Sequence, residues 1–225
     1  MSSIEIPITM PALRDKLFRI AKENIESNNE IQYLMGYLEK FQAKDEETAR
    51  HSVRVCEKSM DIAGSLYYSK RTAMYCGELH DAGKLSDEIP GELLRLTDRC
   101  PTSEEMVLIR KHTTLGHKML FNEKHYFSST SALYHHRFIK GYPEVLPELI
   151  FPTSATPKLV DDYMKFARIV ALADTYCAAK DRKNFYGGQF RANFRTPAEV
   201  KEIVLKENHD VTALIETLYV KGIFE

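Results

Sequence analysis

What the sequence lacks narrows it first. No stretch approaches the roughly 18 consecutive apolar residues of a membrane span, and no signal-peptide pattern opens the chain. The expectation is therefore a soluble, cytoplasmic protein. There are only four cysteines, Cys56, Cys76, Cys100 and Cys177, and none forms a C-x-x-C pair. Free thiols in a reducing compartment fit that usage better than disulfides or a zinc knot. Excess charge is also missing: 31 basic and 32 acidic residues leave a formal net charge of −1. That argues against broad electrostatic binding to duplex nucleic acid or a membrane, while leaving room for a local basic pocket. There is no strand-like alternation and no internal repeat.

What remains is 225 residues with an ordinary apolar fraction, enough for one domain with a small appendage. Residues 1 to 10 read as a loose lead-in. Pro11 is placed to open a helix carrying Leu13, Leu17, Ile20 and Ile25. A second helix is expected from Glu30 to Gln42, with Ile31, Leu34, Leu38 and Phe41 on one face. These two form an expected N-terminal helical extension, 1–44, pairing against a main domain, 45–225.

In the main domain the first helix is expected over 45–68 and the second over 71–80. A turn-rich stretch follows, with a short helix from Glu92 to Leu96. Thr102-Ser103-Glu104-Glu105 reads as a capped helix start leading to His112. Gly116 and His117 are expected to open another short helix, and Ser131 to Arg137 to form one that ends in His135-His136. Residues 144 to 157, rich in proline, read as an irregular insertion. A long helix is expected from Lys158 to Lys180, then an aromatic and basic loop over 181–195. Helices beginning at Thr196-Pro197 and near Val211 close the chain. The class is all-α.

The chemistry centres on His80-Asp81-Ala82-Gly83-Lys84, at the end of an apolar helical stretch. Adjacent residues on a helix point about 100° apart, so His80 and Asp81 meet one ion only where the helix curls or stops. Gly83 permits such a stop. Asp174 is an acid on an otherwise apolar stripe (Leu159, Tyr163, Phe166, Val170). A carboxylate buried there needs a cation or hydrogen-bond donors. Glu47 and His51 share a helix face one turn apart. With His112, His135 and His136 they complete a set of imidazole and carboxylate ligands drawn from several helices. His117, His125 and His209 read as surface residues. Such a set suits two or three first-row divalent ions, with Asp81 a natural bridge because a carboxylate has two oxygens.

This pattern resembles the HD superfamily of metal-dependent phosphohydrolases, and within it the HD-GYP branch. The matching motifs are His80-Asp81-Ala82-Gly83-Lys84, His112, His135-His136, Gly141-Tyr142-Pro143, Ala167-Arg168-Ile169 and Asp174, opened by Glu47-Thr48-x-x-His51. The C-terminal Thr196-Pro197-Ala198-Glu199 helix fits the family's ending, so the resemblance spans about residues 45–225. There are departures. Arg137 stands where the branch has Glu, and the loop to Gly141 is shorter and lacks an Asp-Gly step. An insertion of roughly ten residues follows that loop, Cys177 replaces an Asp, and Asp181-Arg182 comes one residue early.

The resemblance implies a signalling phosphodiesterase acting on a cyclic dinucleotide, cyclic di-GMP or cyclic GMP-AMP. It implies attack by a metal-bound hydroxide at a two- or three-metal centre, with iron or manganese expected. It also implies roles. Asp81 bridges ions and orients the nucleophile. His51, His80 and Asp174 hold one ion, His112, His135 and His136 the second, and Glu47 helps a third. Lys84 offsets phosphate charge, and Lys84, Tyr142 and Arg182 contact substrate. The alternatives are a phosphohydrolase for another nucleotide or a non-catalytic module binding nucleotide or partner proteins.

Overall fold

The computed structural model describes residues 9–96, 99–181, 185–186, 189–190 and 195–225. Arg182 and most of the aromatic-basic loop expected over 181–195 lie outside them. The fold is all-α, with one small addition: Phe185–Tyr186 pairs antiparallel with Gln189–Phe190.

Two helices come first, α1 (Met10–Asn24) and α2 (Asn28–Lys44). Pro11 sits in the first turn of α1, where its missing N–H costs nothing. Leu13, Leu17 and Ala21 of α1 and Ile31, Leu34, Leu38 and Phe41 of α2 are buried. They belong to the same apolar cluster as Val53 and Cys56 of α3 (Glu46–Ser65), so the core runs without interruption through residue 45. α3 is started by Asp45, whose Oδ2 accepts from the Thr48 amide at 2.7 Å. α4 (Lys70–Leu79) then packs along α3, with Gly77 seated against the Cys56 backbone.

Beyond α4 comes a single 3-10 turn, Ala82–Leu85, then α5 (Gly91–Leu94) and α6 (Ser103–Arg110). α6 starts with a reciprocal cap between Thr102 and Glu105. α7 (His112–Asn122) begins four residues earlier than its Gly116-His117 reading suggested. α8 spans Tyr126–Tyr134, and α9 is the single turn Arg137–Lys140. The sequence places the start of α8 at Ser131, five residues late. The run Ser128-Ser129-Thr130-Ser131 resembles a loop, yet all four residues are buried. The Thr130 and Ser131 hydroxyls bond back to the Tyr126 and Phe127 carbonyls at 2.9 Å, so they do not compete with the helix.

Residues 141–156 form no regular element. α10 (Pro157–Asp181) then runs against α3, α4 and α8, with Tyr163, Phe166, Val170 and Asp174 buried along one stripe. α11 (Pro197–Glu207) and α12 (Thr212–Val220) close the chain. No helix among the described residues is long and apolar enough to cross a membrane. All four cysteines are free, with Cys56, Cys76 and Cys177 buried.

Candidate metal centre

Two helix ends build the centre by the same local device. α4 stops at Leu79; His80 keeps helical angles and Asp81 turns to φ −98°, ψ 13°. α8 stops at Tyr134; His135 keeps helical angles and His136 turns to φ −93°, ψ −17°. In each case the curl at the helix end swings two neighbouring side chains toward one point.

Gly83 sets the third approach, and not by the mechanism its position suggested. It does not adopt left-handed angles. Instead, a Cβ there would overlap the His112 carbonyl oxygen and lie 2.5 Å from the Gly116 nitrogen. The missing side chain lets the 3-10 turn press against the first turn of α7. His112 Nε2 consequently stands 3.3 Å from Asp81 Oδ1.

The side chains gather into three overlapping groups: His51, His80 and Asp174; His112, His135 and His136; and His80, Asp81 and His135. Within each group the ligand atoms lie within 4.8 Å of one another. His51 Nε2 lies 2.8 Å from Asp174 Oδ1, and His136 Nδ1 is 3.8 Å from Asp174 Oδ2. Asp81 sits between the two histidine groups. One oxygen faces His112 and, at 3.9 Å, His135; the other is 3.4 Å from His80 Nε2 and accepts from Lys84 Nζ at 2.6 Å.

The tautomers follow from the backbone. His80 Nδ1 donates to the Gly77 carbonyl and His112 Nδ1 to the Ile109 carbonyl, both at 2.7 Å, and His135 Nδ1 donates to the Ala132 carbonyl at 2.9 Å. A carbonyl only accepts, so each of these rings carries its proton on Nδ1 and turns a lone pair on Nε2 inward. His112 Nε2 and His135 Nε2 then face each other at 3.3 Å as two acceptors. His80 Nε2, Asp81 Oδ1 and His136 Nδ1 are buried with no hydrogen-bond partner. Converging lone pairs and orphaned buried acceptors are what a cation would satisfy, so this donor set fits divalent metal.

Electrostatics point the same way. Burial drives His51 down, opposed by the hydrogen bond with Asp174. Burial also lowers His112 to about 4 and His135 to about 3, and pushes His136 well below the usual imidazole range. These rings are neutral at neutral pH and available as ligands. For His80, burial pulls down but Asp81 and Asp174 outweigh it, and the net shift is upward. Burial would raise Asp81 and Asp174; their cationic and imidazole neighbours, Lys84 and His80 for Asp81 and His51 and His136 for Asp174, prevail and hold both well below the usual carboxylate range.

Not every expected residue reaches this point. Glu47 is 63% exposed, and its carboxylate is taken by Arg54 at 2.7 Å and Arg50 at 3.9 Å. It joins none of the three groups. Arg182 lies outside the described residues. Tyr142 does arrive: its ring centroid is 4.7 Å from that of His136 and 6.3 Å from that of His112. Arg137, in the place of the branch's Glu, donates to the Pro143 carbonyl and, at 3.3 Å, to the Glu144 carbonyl, tying down the segment that carries Tyr142.

The surface reading of His117 is overturned. His117 is buried, accepts from the Ser129 hydroxyl at 2.7 Å, and contacts the Leu149 carbonyl through Nε2 at 3.0 Å. It fastens the irregular insertion to α7 and α8. The signal was present: Thr113, Gly116, His117 and Leu120 form one buried helical stripe. His125 is half-buried, with its ring stacked 4.5 Å from Tyr33. His209 is exposed, as read.

Comparison with known proteins now adds the family. The family model described as HD domain matches residues 48–179. The HD domain of the L. monocytogenes phosphodiesterase PgpH, solved in complex with cyclic-di-AMP, superposes with a TM-score of 0.50. That alignment is 18% identical and covers 84% of this chain and 85% of that one. At such identity the likeness speaks for the fold alone. No curated protein matches the sequence. The chain belongs to the HD domain family, a superfamily of metal-dependent phosphohydrolases, and its buried His and Asp groups are of the kind that holds divalent metal.

Proposed function

We propose that this chain is a cytoplasmic phosphodiesterase of the HD-GYP branch that hydrolyses a cyclic dinucleotide at a two-ion centre. The observation that carries this reading is the position of Asp81, its carboxylate between two buried histidine groups with Tyr142 packed on the second. His51, His80 and Asp174 would hold one ion and His112, His135 and His136 the other, with Asp81 shared. Divalent cations bound there supply a nucleophile from water near neutral pH and offset charge on phosphoryl oxygens. Imidazole-rich donors suit iron, and the family resemblance adds manganese.

The protein's own part is positioning and electrostatics. The backbone carbonyls fix the ring tautomers. Lys84 keeps Asp81 ionised and sets an ammonium beside the place where phosphate charge grows. Burial of the ligands keeps competing water out. Tyr142, on the rim between His136 and Arg110, would border the substrate. Arg137 in place of the usual acid and the shortened loop favour, as a second reading, a different nucleotide substrate for the same centre.

The test is turnover. The protein is loaded anaerobically with iron or manganese and given cyclic di-GMP, cyclic GMP-AMP and cyclic di-AMP separately, the last because the PgpH domain was solved with it. Linear dinucleotide or mononucleotide is expected from at least one ring and not from Asp81→Ala. No product from any ring, with metal confirmed bound, overturns the substrate assignment.

A further inference from the structure

A cyclic dinucleotide brings two phosphodiesters, and the ion groups with Lys84 serve only the one being cleaved. The second carries a full negative charge and must rest somewhere on the rim. Among the described residues, two cations stand beside the centre without a carboxylate of their own.

Arg110, the last residue of α6, is exposed, and its guanidinium lies over the Tyr142 ring, 5.3 Å from the centroid. It makes no side-chain hydrogen bond or ion pair among the described residues. A guanidinium held over an aromatic ring by cation–π attraction still has N–H donors for a phosphate, in the planar fork that suits one. Tyr142 in turn packs on His136 and His112, so Arg110 is one ring removed from the second histidine group. Lys140, at the end of α9 and two residues before Tyr142, is also exposed and unpaired among the described residues. The other cations near the centre are engaged: Lys84 by Asp81, and Arg137 by the Pro143 and Glu144 carbonyls.

We infer that Arg110, braced on Tyr142 and joined by Lys140, forms a second anion subsite that takes the non-scissile phosphate of the substrate. This inference rests on the cyclic-dinucleotide reading above. It makes the Arg110–Tyr142 stack a specificity element: it discriminates between a substrate with two phosphates and a diester with one.

The experiment compares two substrates on metal-loaded protein. One is the best ring from the turnover panel; the other is bis(p-nitrophenyl) phosphate, which has a single diester. The ratio of their kcat/KM values is measured for wild type, Arg110→Ala, Arg110→Lys and Lys118→Ala. Lys118 is an exposed cation further along α7 and controls for general charge. Arg110→Ala should lower the ratio about tenfold or more, through KM for the ring, as expected for one lost charged hydrogen-bonding partner. Arg110→Lys should recover part of it, and Lys118→Ala should leave it within about twofold, as for a screened surface charge. An unchanged ratio in Arg110→Ala, on a wild type that cleaves the ring, overturns the subsite alone. Wild type that cleaves the simple diester and no ring overturns the substrate reading and the subsite with it.

Discussion

The centre has two halves made by one device and held by different means. At the end of α4, His80 and Asp81 are backed by contact between backbones, because the turn at Gly83 lies directly on the first turn of α7. At the end of α8, His135 and His136 lead into α9 and an irregular segment held by side-chain hydrogen bonds, Arg137 to Pro143 and Glu144, and His117 to Leu149. The first half cannot yield without breaking helix packing. The second can shift by exchanging hydrogen bonds. The comparison teaches a division of labour: the rigid half fixes Asp81, and the adjustable half carries Tyr142, which in the proposed function borders the substrate. That the sequence departs from the HD-GYP pattern mainly in the second half, at Arg137 and in the loop lengths, agrees with this division.

The strongest way to break the comparison is to add one methyl group at Gly83. In Gly83→Ala the new Cβ meets backbone on the facing helix, not a side chain that can swing away. Overpacking of that kind costs about 1–3 kcal/mol, and at about 2–4 °C per kcal/mol for a chain of this size the melting temperature should fall by roughly 2–12 °C. His112 should move away from Asp81, so metal content per chain, read by elemental analysis, should drop from the proposed two ions toward one. A variant that melts within a degree of wild type and retains full metal would show that the first half is not sterically locked.

Arg137→Ala tests the other half, with a smaller effect. It removes charge-assisted hydrogen bonds to two carbonyls at a partly exposed position, worth on the order of 1–2 kcal/mol. The melting temperature should fall by a few degrees and metal content should stay at the wild-type value. KM for the cyclic dinucleotide should rise several-fold as Tyr142 loses its tether, while kcat changes little; Arg137→Lys should restore part of the KM. Loss of metal equal to that in Gly83→Ala would show that the two halves are not held differently.

How much of this was legible in the sequence depends on the distance over which the cause acts. The clustered side chains were legible because imidazole and carboxylate next to apolar stripes are costly unless paired. Asp174 among Tyr163, Phe166 and Val170 is the clearest case. The caps at Thr102 and Thr196 were legible because their partners lie three residues away. Gly83 was read as a helix stop because its true partners, His112 and Gly116, are about thirty residues downstream. The serine-rich start of α8 was hidden because hydroxyl groups signal loops until their back-bonds are seen. The burial of His117 was readable from its helical stripe, but its tie to the Leu149 carbonyl was hidden because that segment has no periodicity.

The smallest expected effect sharpens the comparison by marking its edge. Glu47 lies one turn before His51 on α3, and the family resemblance implies that it helps a third ion. The structure gives it other partners: Arg50 and Arg54 hold its carboxylate at a position 63% exposed. Ion pairs of this exposure contribute about 0–1 kcal/mol, so Glu47→Gln should melt within roughly 4 °C of wild type. The ion count is the decisive readout. The three ligand groups close without Glu47, so the variant and the wild type should bind the same number of ions per chain, with the same midpoint when a chelator strips them. A variant that lacks one ion would mean that Glu47 leaves its arginines to complete a third site. The centre would then have a third part, open to solvent and held by neither backbone contact nor the Arg137 tether.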